Sequence, residues 1–114
     1  MGHTKIVNVA QLPWDEDGPL ALPEGVRCKT LDRDESSGRV DLIVQFPKGY
    51  VEPRHTHASC HSGVILAGKM LIHGKVLEPG DYLFGPANEA HGPMEYPEGC
   101  TVFASFYGNP AHQY

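Results

Sequence analysis

Apolar and polar residues alternate along this chain in short runs that glycine and proline interrupt. Val40, Leu42, Val44 and Phe46 fall on one side of an extended segment and Asp41, Ile43 and Gln45 on the other, which predicts a strand with one strongly apolar face. Val26 to Leu31 is expected to pair with it across the polar turn Asp32-Arg33-Asp34-Glu35-Ser36-Ser37-Gly38. Ser62 to Ala67, Lys69 to His73 and Lys75 to Glu78 read as three short strands separated by Gly68 and Gly74. Glu78-Pro79-Gly80-Asp81 predicts a turn into the strand Tyr82-Leu83-Phe84. Thr101 to Tyr107 is a last strand with apolar residues on both faces, placed either at the centre of a sandwich or under another subunit. Met1 to Gly25 is less regular, with Ile6, Val7 and Val9 as an edge-strand candidate. No window keeps the i, i+3, i+4, i+7 apolar pattern of a helix. Roughly eight short strands with tight turns predict an all-β fold, a small barrel or jelly roll.

Composition narrows the class. With 114 residues the chain reads as one domain: an N-terminal segment over 1–25, a barrel over 26–107 and a tail over 108–114. Hydrophobic residues make up 40%, enough for a packed core and too many for a disordered chain. The formal net charge of −5 gives no basic footprint for nucleic acid. No apolar run approaches the roughly 20 residues of a membrane-spanning helix. The first eleven residues lack the charged and apolar regions of an export signal. Cys28, Cys60 and Cys100 form no CxxC pair and are odd in number, which points to a reducing, cytoplasmic setting.

The candidate chemistry lies in the histidines, of which there are seven. Arg54-His55-Thr56-His57-Ala58-Ser59-Cys60-His61 carries three of them, and His91 follows about thirty residues later. Residues two apart on a strand share a face, so His55 and His57 can aim two imidazoles at one point. A bend over Ala58 to Cys60 lets His61 open the next strand near the same point, and an antiparallel return can bring His91 alongside. Imidazole sets of this kind suit Zn, Cu, Fe and Ni. His3, His73 and His112 read as ordinary terminal or turn residues, and Cys28 and Cys100 as small buried hydrophobes. Cys60, next to His61 in an extended chain, is expected to point away from the site.

These residues resemble the cupin family. Gly49 to Gly68 is similar to the first cupin motif, G-x5-H-x-H-x3,4-E-x6-G, and every spacing matches. The departure is His61, which stands where the family usually has Glu. Gly80 to Glu95 is similar to the second motif, G-x5-P-x-G-x2-H-x3-N, through Gly80, Pro86 and His91. Asn88 replaces its glycine, a position where Asn tolerates φ > 0, and Glu95 replaces its final Asn. A weaker likeness runs to the small cupins related to anti-sigma factor metal domains and diketone-cleaving dioxygenases. The resemblance implies a cupin jelly-roll barrel (a double-stranded β-helix). Inside it, one divalent transition metal (Fe, Mn, Ni, Zn or Cu) would be held by His55, His57, His61 and His91.

A four-histidine shell lacks the anionic ligand of the usual set, which favours the divalent state and attracts anionic oxygen ligands. It also removes a candidate base, leaving Glu52, Glu89, Glu95, Tyr50, Tyr82 and Tyr96. Tyr50, Tyr82, Phe84 and Glu95 are the pocket candidates. The expected function is a dioxygenase-type oxidoreductase acting on a small oxygen-bearing substrate. The alternatives are a non-oxidative Lewis-acid lyase, isomerase or hydrolase, and a non-catalytic metal or small-molecule sensor. The apolar outer face of the last strand suggests a homodimer.

Overall fold

The computed structural model describes residues 4–16 and 22–108, and the backbone of 112–113. After a single 3-10 turn at Val9–Gln11, the chain forms strands β1 (Arg27–Asp34), β2 (Arg39–Phe46), β3 (Tyr50–Glu52), β4 (Thr56–His57) and β5 (His61–Gly68). They are followed by β6 (Met70–Ile72), β7 (Lys75–Leu77), β8 (Tyr82–Gly85), β9 (Met94–Tyr96), β10 (Cys100–Tyr107) and β11 (His112–Gln113). A five-stranded sheet in the order β1-β2-β10-β5-β8 faces a four-stranded sheet in the order β3-β9-β6-β7, and β4 pairs with β11. All the strand pairs are antiparallel.

The period-two pattern sorts the side chains as expected. Val40, Leu42 and Val44 of β2 and Ala104 and Phe106 of β10 pack inward with Val26 and Cys28. A second cluster joins Ile65, Cys100 and Val102 of the large sheet to Met70, Ile72, Met94 and Tyr96 of the small one. Phe46 and Tyr50 pack against both clusters. Leu42 is fully buried, and burial of a side chain of this size contributes about 1.5–3 kcal/mol. β10 is the central strand of its sheet, between β2 and β5, with Val102, Ala104 and Phe106 in the core and Phe103 half-buried on the other face.

Two local features follow from sequence. His73 and Gly74 both have positive φ, 51° and 74°, and form the two-residue turn between β6 and β7. Between β1 and β2 a register shift at Thr30/Asp32 leaves Asp32 directly opposite Asp41. Two like charges in that position repel, and Arg39 neutralises both by donating to Asp32 at 2.6 Å and to Asp41. The same guanidinium hydrogen bond holds the Asp32 carboxyl below its usual range.

Three expectations need correction. Ile6, Val7 and Val9 form no strand: Ile6 is 91% exposed, and Val9–Gln11 is a 3-10 turn whose Gln11 N–H bonds the Asn8 carboxamide oxygen at 3.3 Å. This segment straps β1 through its side chains. The Trp14 ring lies 4.2 Å from the Arg27 guanidinium carbon and 4.7 Å from Lys29 Nζ, and Asp15 accepts from Thr30 Oγ1 at 2.7 Å. Second, β1 runs on through Asp34, so the polar turn is shorter than Asp32–Gly38. Third, β3 and β9 lie outside the expected strands. Each has three residues and exists only through its tertiary partner. His3 lies outside the described residues, as does the side chain of His112.

Candidate metal centre

Reciprocal backbone hydrogen bonds place the first two histidines together. His55 N–H donates to His91 O and His91 N–H to His55 O, both at 2.9 Å. This antiparallel pair puts both side chains on the inner side. His57 follows two residues later on β4, and its carbonyl accepts from Asn88 N–H at 2.8 Å. Asn88 has φ 61°, the left-handed conformation expected where the second motif has glycine. The bend before β5 then delivers His61 to the start of that strand. His55, His57, His61 and His91 are exposed by 2%, 4%, 7% and 8%.

Three of the four converge. The candidate ligand atoms of His55, His57 and His91 all lie within 4.8 Å of one another. His55 Nε2 is 3.2 Å from His57 Nε2 and 2.9 Å from His91 Nε2. The His55 Nδ1 atom sits 2.7 Å from the Pro53 carbonyl oxygen, which accepts only a proton-bearing nitrogen. That fixes the tautomer: Nδ1 is the donor and Nε2 carries the inward lone pair. One lone pair cannot accept well from two imidazoles at once. A cation accepts all three. Imidazoles bound at about 2.1 Å and at right angles have their nitrogens about 3 Å apart, the separation seen here. The donor set therefore fits a divalent transition metal, and the carbonyl behind His55 is the usual outer support of such a ligand.

His61 stands beside this trio. Its ring centroid is 4.7 Å from that of His57 and 5.2 Å from that of His91, and it stacks on Phe106 at 4.8 Å. Its Nδ1 is buried without a hydrogen-bond partner. Burial first, then the neighbouring His57, His91 and His55, push its pKa down to about 3, so the ring stays neutral with a lone pair free. Gly85 makes room for it, because a Cβ there would overlap the His61 imidazole. In the sequence, Gly85 shows only as the residue before Pro86, with no sign of this close approach.

Of the carboxylates, the structure brings in Glu52. It is 5% exposed, accepts from the Tyr96 hydroxyl at 2.9 Å and places Oε2 3.6 Å from His55 Nε2. Glu52 and the four histidines line one inner cavity of about 70 Å³, together with apolar side chains such as Val44, Met70, Met94 and Phe106. The pocket candidates Tyr50, Tyr82, Phe84 and Glu95 are not among the residues lining that cavity. Tyr50 is half-buried in a stack with Phe46 and Tyr96. Glu95 is exposed, because β9 turns Met94 and Tyr96 inward. Tyr82 and Phe84 are 62% and 52% exposed, since β8 turns Leu83 and not its neighbours toward the core. They line a separate outer cleft of about 320 Å³ with Ile72, His73, Lys75 and Glu89, and this cleft shares Leu83 and His91 with the inner cavity. Cys60 is half-buried, and Cys28 and Cys100 are buried. Burial pushes both buried thiols up to about 11, with the Asp15 charge adding at Cys28, so they remain protonated.

Two facing antiparallel sheets with inward histidines between them define a small cupin with a candidate metal centre. The chain belongs to the ChrR cupin-like domain family, whose model matches residues 3–108. It is 36% identical over 97 residues to the DNA damage-repair/toleration protein DRT102 of Arabidopsis thaliana, covering 80% of this chain and 30% of that protein. The chain thus spans less than a third of the length of that relative. Among solved structures, an RmlC-like cupin from Ralstonia eutropha superposes with a TM-score of 0.76 at 21% identity, over 93% of this chain and 69% of that one. A candidate acetylacetone dioxygenase from Methylibium petroleiphilum superposes with a TM-score of 0.72 at 26% identity, over 95% and 82%. The fold is the cupin jelly roll.

Proposed function

We propose that this chain is a metal-dependent oxidoreductase that uses dioxygen to cleave or oxidise a small oxygen-bearing organic substrate. The observation that carries the reading is the convergence of three buried imidazoles, His55, His57 and His91, within 4.8 Å. His61, neutral and with an unpartnered buried nitrogen, is proposed as the fourth. The likeness to the Methylibium petroleiphilum protein supports the dioxygenase class and a 1,3-diketone as the first substrate to try. A divalent ion held there would supply a Lewis acid and a template for the substrate oxygens.

The chain's own residues do the rest. The Pro53 carbonyl holds the His55 ring in one tautomer. The inner cavity of about 70 Å³ has room for a handful of water-sized groups. Only the reacting end of a substrate fits inside it. The outer cleft, joined to it at Leu83 and His91, is the place for the substrate's body, against Tyr82 and Phe84 and near Lys75. The apolar walls strengthen the electrostatic contacts made by the reacting end.

The test is oxygen uptake by metal-loaded protein with acetylacetone in an electrode cell. Oxygen and diketone should disappear in equimolar amounts. Conversion that continues without oxygen would replace this reading with Lewis-acid chemistry, and binding without turnover would replace it with a sensor.

Two further expectations belong with this reading. The free thiols Cys28, Cys60 and Cys100 support a reducing, cytoplasmic setting. Among the described residues, no helix is long and apolar enough to cross a membrane. A homodimer through the outer face of the five-stranded sheet is supported by the cross-strand row Phe103, Val64 and Tyr82, of which Tyr82 is exposed and the others half-buried. Light scattering should give twice the chain mass, and Tyr82→Glu should return the mass of one chain.

A further inference from the structure

We propose that Glu52 is the carboxylate of this metal centre, supplied from β3 in place of the one that position 61 lacks. The inference rests on reading the three histidines as a metal centre. Glu52 shares the inner cavity with His55, His57, His61 and His91. Its Oε2 lies 3.6 Å from His55 Nε2, the nitrogen on which the trio converges. At that distance it acts on the charge of an ion in the trio and on any water or substrate oxygen bound beside it.

The carboxylate is held in place by a tyrosine and the ring stacked on it. Tyr96 is 1% exposed and donates its hydroxyl to Glu52 Oε1 at 2.9 Å. Burial, followed by the charge of Glu52, pushes the Tyr96 hydroxyl far above its usual range, so it stays a donor. The Tyr96 ring is clamped in turn against Phe46, with centroids 4.0 Å apart and planes within 5°. One oxygen of Glu52 is thereby fixed and the other directed at the histidines.

The charge arithmetic gives this placement a purpose. Neutral imidazoles leave a divalent ion with its full double charge in a cavity walled by apolar side chains, and desolvation makes that costly. A buried carboxylate is costly as well unless a cation or donors face it. Placed together, the two charges offset each other, and the centre carries one positive charge. The consequence reverses the expectation drawn from position 61: the site discriminates against anions more strongly than a purely histidine shell would.

The test uses the apo protein with Co(II) as the probe, in competition with a chelator, comparing wild type, Glu52→Gln and Tyr96→Phe. Azide titration of the Co(II)-loaded proteins, read from the visible absorption bands, reports anion affinity without turnover. Melting of the apo proteins checks the fold. Glu52→Gln should weaken Co(II) by about 10–100-fold and tighten azide binding. Tyr96→Phe keeps the charge and should weaken Co(II) by only about threefold. Equal Co(II) and azide affinities in wild type and Glu52→Gln would overturn the proposal and leave Glu52 as a packing partner of Tyr96. Equal losses of Co(II) affinity in both variants, with azide unchanged, would also overturn it, as collapse of the aromatic stack. A wild type that binds no Co(II) would remove the metal centre itself and this inference with it, an outcome distinct from wild-type binding that Glu52→Gln leaves intact.

Discussion

Replacing His55 with alanine is expected to weaken divalent metal binding by two to three orders of magnitude. His55 is the hub of the trio, the imidazole whose Nε2 lies within 3.2 Å of both others. Structural zinc sites bind with roughly 10–16 kcal/mol from four ligands, so one ligand accounts for about 2.5–4 kcal/mol. Elemental analysis and chelator competition measure the loss directly. Thermal melting gives a second readout, because a ligand at about 1,000 times its Kd stabilises the folded state by about 4 kcal/mol. That increment should shrink to about 0.4–1.4 kcal/mol in His55→Ala, measured against the apo form of the same variant. His61→Ala should lose less, since the converging trio is formed by His55, His57 and His91. A loss equal to that of His55→Ala would make His61 a full ligand, and an unchanged affinity would make it a pocket residue.

Replacing Gly68 with alanine is expected to be the most damaging change to the fold. This glycine ends the first motif, and its φ is 79°. A Cβ there would overlap the Gly99 carbonyl oxygen, with Cys100 Cα also at 2.9 Å. The carbonyl cannot retreat easily, because it accepts from Lys69 N–H at 3.1 Å at the end of the β5–β10 ladder. Backbone strain and overlap together should cost about 3–5 kcal/mol. Denaturant titration measures it, with Gly74→Ala as the control. Gly74 has a similar φ of 74° but nothing within 4 Å of its Cβ position, so only the conformational cost of about 1–2 kcal/mol applies. Equal losses in the two variants would show that the close approach to Gly99 carries no weight.

Much of the histidine arrangement was legible because strand geometry is simple. His55 and His57 share a side because side chains alternate along an extended chain, and Asn88 adopts the positive φ its place in the motif required. The choice among carboxylates was not legible. Glu52 and Glu95 lie on neighbouring three-residue strands, β3 and β9, where Val51 pairs with Glu95 and Glu52 with Met94. In that register Glu52 faces inward with Met94 and Glu95 outward with Val51, and a slip of β3 by one residue would turn Glu52 outward beside Glu95. Tyr82 and Phe84 were equally ambiguous, because an alternating run does not state which of its two faces meets the core. The apolar residues of the N-terminal segment suggest strand pairing, whereas Trp14 docks across β1 by stacking under two cations.

The all-β class, the long strands and the cluster of histidines on neighbouring elements follow from the order of the residues. Those properties depend on short-range alternation, turn residues and motif spacing. Tertiary structure alone decided which short segments became strands and which carboxylate faces the histidines. It also decided that His61 stands beside the converging trio. Each of these is set by the register of strands distant in the chain and by where the two sheets meet, which no local pattern encodes.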